Sequence, residues 1–164
     1  MGSIEQPSMT ARYVVRKMET RSEMDAIMDV IWPANYNPYE PFAQLFFPVL
    51  GFTQSAWDAA VAESKSRFWK NHINTPTSTW YYVQEVASGK VVGCAEWEEH
   101  RQNPFKNGPP TIRAPWWPEG DYRDFCESII RQIYSPRTKW MQRPHMGRRS
   151  CCTLSHISLT RCSP

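Results

Sequence analysis

Three carboxylates stand at the close of one short apolar run in this sequence, Val91-Val92-Gly93-Cys94-Ala95-Glu96-Trp97-Glu98, followed by Glu99. A carboxylate facing a cleft is a ready proton acceptor at neutral pH. In an extended chain successive side chains alternate, so Glu96 and Glu98 share one face and Trp97 takes the other. The competing reading is a solvated strand end that does no chemistry. His145 is a second proton-transfer candidate, against the plainer role of a structural hydrogen-bonding side chain. Cys151, Cys152, His156 and Cys162 are metal-ligand types at short spacing. Adjacent cysteines fit one tetrahedral ion poorly, and no second Cys-x-x-Cys knuckle accompanies them, so no metal site is assigned.

These residues need elements to hold them. Tyr13 to Met18 reads as a first strand. Ser22 and Asp25 have the spacing of a helix start, and Met24, Ile27, Met28 and Ile31 follow at the 3.6-residue period of an amphipathic helix that Pro33 ends or kinks. Phe42 to Phe47 has room for one or two helical turns. A longer helix runs from Ser55 to about Asn71, with Trp57, Ala60, Val61, Ser64 and Phe68 on one side. Thr79 to Val86 is rich in strand formers, Ala87-Ser88-Gly89-Lys90 is a turn, and Val91 to Glu98 returns as the second arm of a hairpin. Residues 103–120 hold five Pro and two Gly, a loop or insertion. Asp121 then starts a helix with Tyr122, Phe125, Cys126, Ile129, Ile130 and Ile133 on one face, limited by Pro136. The fold class is α/β in the α+β sense: a small, mainly antiparallel sheet with packed helices.

Hydrophobic residues make up 41% of the 164, enough to build one core. The formal charge of +3 is too balanced to indicate a nucleic-acid partner. No apolar run is long enough to span a membrane, and the first ten residues are polar, so a cytoplasmic or nuclear protein is expected.

The order strand, helix, helix, strand, turn, strand, with Tyr81-Tyr82-Val83-Gln84-Glu85-Val86, Ser88-Gly89-Lys90 and Val91-Val92-Gly93-Cys94-Ala95-Glu96-Trp97, resembles the front half of the GNAT N-acetyltransferases. It is most similar to the fungal branch, with its Pro-rich insertion after the third strand. The resemblance spans residues 12–146. It implies transfer of acetyl from acetyl-CoA to a small-molecule or peptide amine. It also implies that a cleft-facing carboxylate, Glu96 or Glu98, takes the proton of the attacking amine, with His145 leading into the fourth strand nearby. The aromatics of residues 32–39, together with Trp116 and Trp117, are candidate walls for an acceptor pocket.

In the family a fourth strand and the next helix carry a Gly-x-Gly or Gly-x-Ala loop. Its bare backbone N–H groups cradle the CoA pyrophosphate. After Met146 this sequence departs from that pattern, and no glycine follows Gly147. The resemblance therefore implies an incomplete GNAT-like fold: a flexible segment at 1–11, the acetyltransferase-like body at 12–146 and an aberrant, disordered tail at 147–164. Acetyl-CoA, the family's cofactor, is not expected to bind this chain, and no cofactor-binding residue is assigned.

Without a fourth strand, the third would keep an open edge for self-association. A non-catalytic binding or regulatory module built on the same front half is the alternative function. Read one nucleotide later with synonymous codons, residues 147–153 become Val-Val-Asp-Leu-Val-Ala-Leu. Residues 155–163 likewise become Pro-Thr-Tyr-His-Ser-Arg-Gly-Ala-Ala, which resembles the approach to the family's pyrophosphate loop. A shifted reading frame is therefore expected for the tail.

Overall fold

The computed structural model describes residues 12–153. The expectations for residues 1–11 and 154–164 lie outside these described residues. The elements are β1 (Tyr13–Lys17), α1 (Arg21–Tyr36), a 3₁₀ turn (Pro41–Leu45), α2 (Gln54–Asn74), β2 (Ser78–Glu85), β3 (Val91–His100), α3 (Asp121–Trp140) and β4 (His145–Thr153). The four strands form one sheet in the order β1-β2-β3-β4, antiparallel throughout. The fold is mixed α/β, as the hairpin between amphipathic helices implies.

Helix α1 starts at Thr20, two residues before the expected Ser22. The Thr20 side chain accepts from the Glu23 backbone N–H, and the Glu23 carboxylate returns to the Thr20 N–H at 2.8 Å. This reciprocal pair satisfies two of the donors that a helix start leaves open. The same carboxylate accepts from the Tyr82 hydroxyl at 2.9 Å, so the cap also anchors α1 to β2. The stripe Met24, Ile27, Met28 and Ile31 is fully buried. Pro33 does not end the helix, which continues to Tyr36. It sits close enough to the C-terminus that only one backbone bond, to the Asp29 carbonyl, is forfeited.

Helix α2 is capped by Thr53, whose side chain accepts from the Ala56 N–H at 3.1 Å; it too begins ahead of the expected serine. Its contact with α1 includes two polar pairs: Lys65 Nζ lies 2.6 Å from Asp29 Oδ1, and Trp32 Nε1 donates to the buried Ser64 hydroxyl at 2.9 Å, which donates onward to the Val61 carbonyl at 2.8 Å. Around it Trp32, Tyr36, Phe47 and Trp57 pack ring against ring at 4.8–5.7 Å between centroids. Helix α3 has Gly120 rather than Asp121 at its N-cap, and it passes Pro136 to end at Trp140.

The larger correction concerns the tail. Residues 147–153 were expected to be disordered and the third strand to lack a neighbour. Instead β4 pairs with β3 from His145↔His100 to Thr153↔Gly93. The β3 edge that was to drive self-association is therefore occupied. The expectation rested on apolar periodicity, whereas strand pairing is made by backbone groups. An open row of N–H and C=O groups accepts any extended segment that follows it. The register slips once, between Glu96/Trp97 and their partners Ser150 and Arg148, so Arg149 is an extra residue in β4.

Candidate functional site

The face of the sheet that carries Trp80, Tyr82 and Cys94 packs against α1 and α2. Beyond that core the same face opens into a cleft of about 1110 Å³. Its floor is Trp80 and Glu96, register partners on β2 and β3. The remaining walls come from α1 (Ile31 and Asn35), α2, the 3₁₀ turn, the Pro-rich loop at 110–116 and α3.

The loop is fastened at two acceptors, the Leu45 carbonyl and the Glu127 carboxylate. Trp116 Nε1, Trp117 Nε1 and the Cys126 thiol all donate to the Leu45 carbonyl, at 2.7, 3.1 and 3.1 Å. The buried Glu127 carboxylate accepts from the Ala114 N–H at 2.9 Å and ties loop to helix. Burial pushes the Cys126 thiol up, with the neighbouring Glu127 charge adding to it, so this thiol is a packed donor and not a nucleophile. Arg67 stacks over Trp116 at 4.3 Å, pairs with Glu63 at 2.9 Å and donates to the Phe46 carbonyl at 2.6 Å. Of the candidate pocket walls, Trp116 lines the cleft and Trp117 does not; Trp32 and Tyr36 line a separate cavity of about 650 Å³ between α1 and α2.

The three proton-transfer candidates separate. Glu96 lines the cleft, is buried, and its Oε1 accepts from the Ser78 hydroxyl at 2.9 Å. Glu98 shares its face, but it sits further along β3, where its Oε2 lies 3.2 Å from His100 Nε2. His145 belongs to that second group: its ring stands 4.9 Å from the His100 ring, centroid to centroid. Its Nδ1 donates to the Arg143 carbonyl at 2.7 Å, while Nε2 is buried with no hydrogen-bond partner among the described residues. Neither Glu98 nor His145 lines the cleft. His100, which completes their cluster, went unremarked in the sequence. Its cross-strand pairing with His145 follows only from a fourth strand that the apolar pattern did not reveal.

Comparison with known proteins adds little. No protein-family model matches the chain, and no curated protein does. A solved structure, the ribosomal-protein-S5-alanine acetyltransferase from Vibrio fischeri, is similar over 58% of this chain at 13% identity, with a TM-score of 0.33. The chain spans about half of that protein's length, 48%. So distant a likeness decides nothing about this site.

Among the described residues no pyrophosphate cradle is formed. β4 is a paired strand, and among the described residues no helix follows it to offer bare N–H groups. Gly147 lies within that strand and touches nothing closer than the Met141 methyl, 3.9 Å from where its Cβ would stand. No step through CoA is assigned to these residues. Among the described residues no group of three or more ligating side chains is placed to hold a metal ion, and no helix is long and apolar enough to cross a membrane.

Proposed function

We propose that this chain is the front half of a GNAT-type N-acyltransferase domain, and that its cleft receives the amine that is to be acylated. The observation that carries this reading is Glu96: a buried carboxylate on the third strand, on the floor of a large aromatic-walled cleft, where the resemblance puts the proton acceptor. Its chemistry is one proton transfer. An N–H bond of the bound amine breaks, the proton passes to a Glu96 oxygen, and the nitrogen keeps the electron pair with which it attacks. Ser78 holds the carboxylate in place for this. Acetyl transfer itself is assigned only to a chain that also carries a pyrophosphate cradle.

The test compares two proteins on immobilised CoA and in an acetyl-transfer assay. One is the 164-residue chain; the other has residues from 147 onward replaced by the reading one nucleotide later, with its downstream sequence. The reading expects no retention and no transfer for the first and both for the second. Tight CoA retention by the first, or none by the second, overturns it.

One observation favours the binding-module alternative. The sheet face opposite the helices is left exposed, with Val15 at 66%, Tyr81 at 39%, Trp97 at 36% and Met146 at 65% of full accessibility. An exposed apolar face of this kind is a common docking surface. On this reading the chain self-associates or recruits a partner through the sheet face, since the β3 edge is already paired. Sedimentation that stays monomeric at high concentration argues against the self-associating form.

A further inference from the structure

The cleft is unbalanced in charge. Four cations and three carboxylates line it. Each carboxylate is engaged: Glu63 with Arg67, Glu40 with the Phe42 N–H, and Glu96 with Ser78. Arg67 is committed to Glu63, Trp116 and the Phe46 carbonyl. The other three cations are Lys70 on α2, Arg113 on the Pro-rich loop and Arg137 on α3. Among the described residues none of them has a carboxylate within ion-pair distance; Arg137 rests only against the Tyr134 ring, at 5.3 Å. Three separate elements thus aim unneutralised cations at one opening, while the floor presents a carboxylate.

Such a cleft suits a ligand that is cationic at one end and anionic at the other. The carboxylate floor takes an amine, the aromatic walls take an apolar segment, and the three cations take carboxylates by charge-assisted hydrogen bonds. Size narrows the class. A cavity of about 1110 Å³ is far larger than a single amino acid needs. We infer that the acceptor is a short acidic peptide with a free amino terminus: the amine meets Glu96, and the acidic side chains meet Lys70, Arg113 and Arg137. This rests on the reading of the cleft as the amine site, and it names that site's substrate class.

The test is binding without any acyl donor, so that it stands apart from transfer. The probe is a tetrapeptide with a free amino terminus, an apolar first residue and two aspartates. Its controls are the N-acetylated peptide and the peptide with asparagines in place of the aspartates. Calorimetry at low salt is expected to show the acidic free-amine peptide bound at least about tenfold more tightly than either control, the value of one charge-assisted hydrogen bond or more. Raising the salt is expected to erase the advantage over the asparagine peptide, since exposed charges are screened. Arg113→Gln, a substitution at an exposed loop position, is expected to shrink that same advantage, and the Arg113→Gln, Arg137→Gln pair to abolish it. Glu96→Gln is expected to abolish the advantage over the acetylated peptide alone. Equal binding of the aspartate and asparagine peptides overturns the inference, as does equal binding of the acetylated form. If the peptide binds as expected but the cradle-bearing chain transfers no acetyl, the acyltransferase reading fails while the peptide site stands. If that chain acetylates both free-amine peptides alike, the peptide inference fails while the acyltransferase reading stands.

Discussion

Helices α1 and α3 have similar apolar stripes in the sequence and different fates in the fold. On α1 the stripe Met24, Ile27, Met28 and Ile31 is sealed against the sheet and joins Trp80, Tyr82 and Cys94 in one core. On α3 only Cys126 and Ile130 of the expected face are buried, with Ala114, in a small separate cluster; Tyr122 and Phe125 stay 76% and 57% exposed. A periodic stripe shows that a helix has a face to bury. It does not say how much surface is available to bury it against. Here the sheet beneath α1 is filled and the space beneath α3 is left open, and that opening is the cleft.

This contrast sets the expected effects of substitution. Ile27→Ala removes a fully buried side chain from the closed core and is expected to cost about 2–5 kcal/mol in urea unfolding. Ile130→Ala is expected to fall at or below the low end of that range, because the cleft beside it lets the neighbours collapse or water enter. Equal costs at the two positions would mean that α3 is as firmly docked as α1.

Ser64→Ala leaves the Trp32 indole N–H without its partner at the α1–α2 contact. It is expected to destabilise the fold by about 1–3 kcal/mol in the same measurement. A neutral result would show that the polar contact is not part of what closes this half of the molecule.

The cap of α1 gives a pH signature. Hydrogen bonds from the Glu19 backbone N–H, then from Tyr82 and Thr20, hold the Glu23 carboxyl at about 2, below its ordinary 4.5, against an opposing effect of burial. The folded value is depressed. The stabilisation is therefore present above pH 4.5 and lost as the pH falls from there toward about 2. Thermal melts across that interval are expected to fall more steeply for the native chain than for Glu23→Gln. Parallel curves would remove Glu23 from the account.

The smallest effect is expected on the exposed side of α3. Tyr122→Ser changes a largely exposed side chain whose ring stacks on Trp117, and it is expected to shift stability by no more than about 0.5 kcal/mol.

Much of the frame was legible from local pattern. The hairpin was written in the strand formers of residues 79–98 and the turn at Ser88-Gly89-Lys90, and α1 in its stripe. The helix starts were misplaced because several hydroxyl and acidic residues compete near each end. Which one caps depends on where the backbone turns: Thr20 prevails because Glu23 is the residue that can return its bond. Strand β4 was not legible, because its residues have no apolar period and pair through backbone groups with a strand 45 or more positions away. For the site, Glu96 was named in company with Glu98, and alternation correctly put both on one face. Only the position of the cleft separates them. The cations on its rim come from three distant segments, and no local spacing joins Lys70, Arg113 and Arg137.

The most direct test maps where an amine binds. Titrating the free-amine aspartate peptide into isotope-labelled protein should perturb the backbone resonances of Trp80, Glu96, Arg113 and Ile130, around the cleft. Those of Trp57 and Ala62, beside the second cavity between α1 and α2, should stay unmoved. Perturbation confined to the second cavity, or to the exposed sheet face at Val15 and Tyr81, would contradict the assignment of the Glu96 cleft as the amine site.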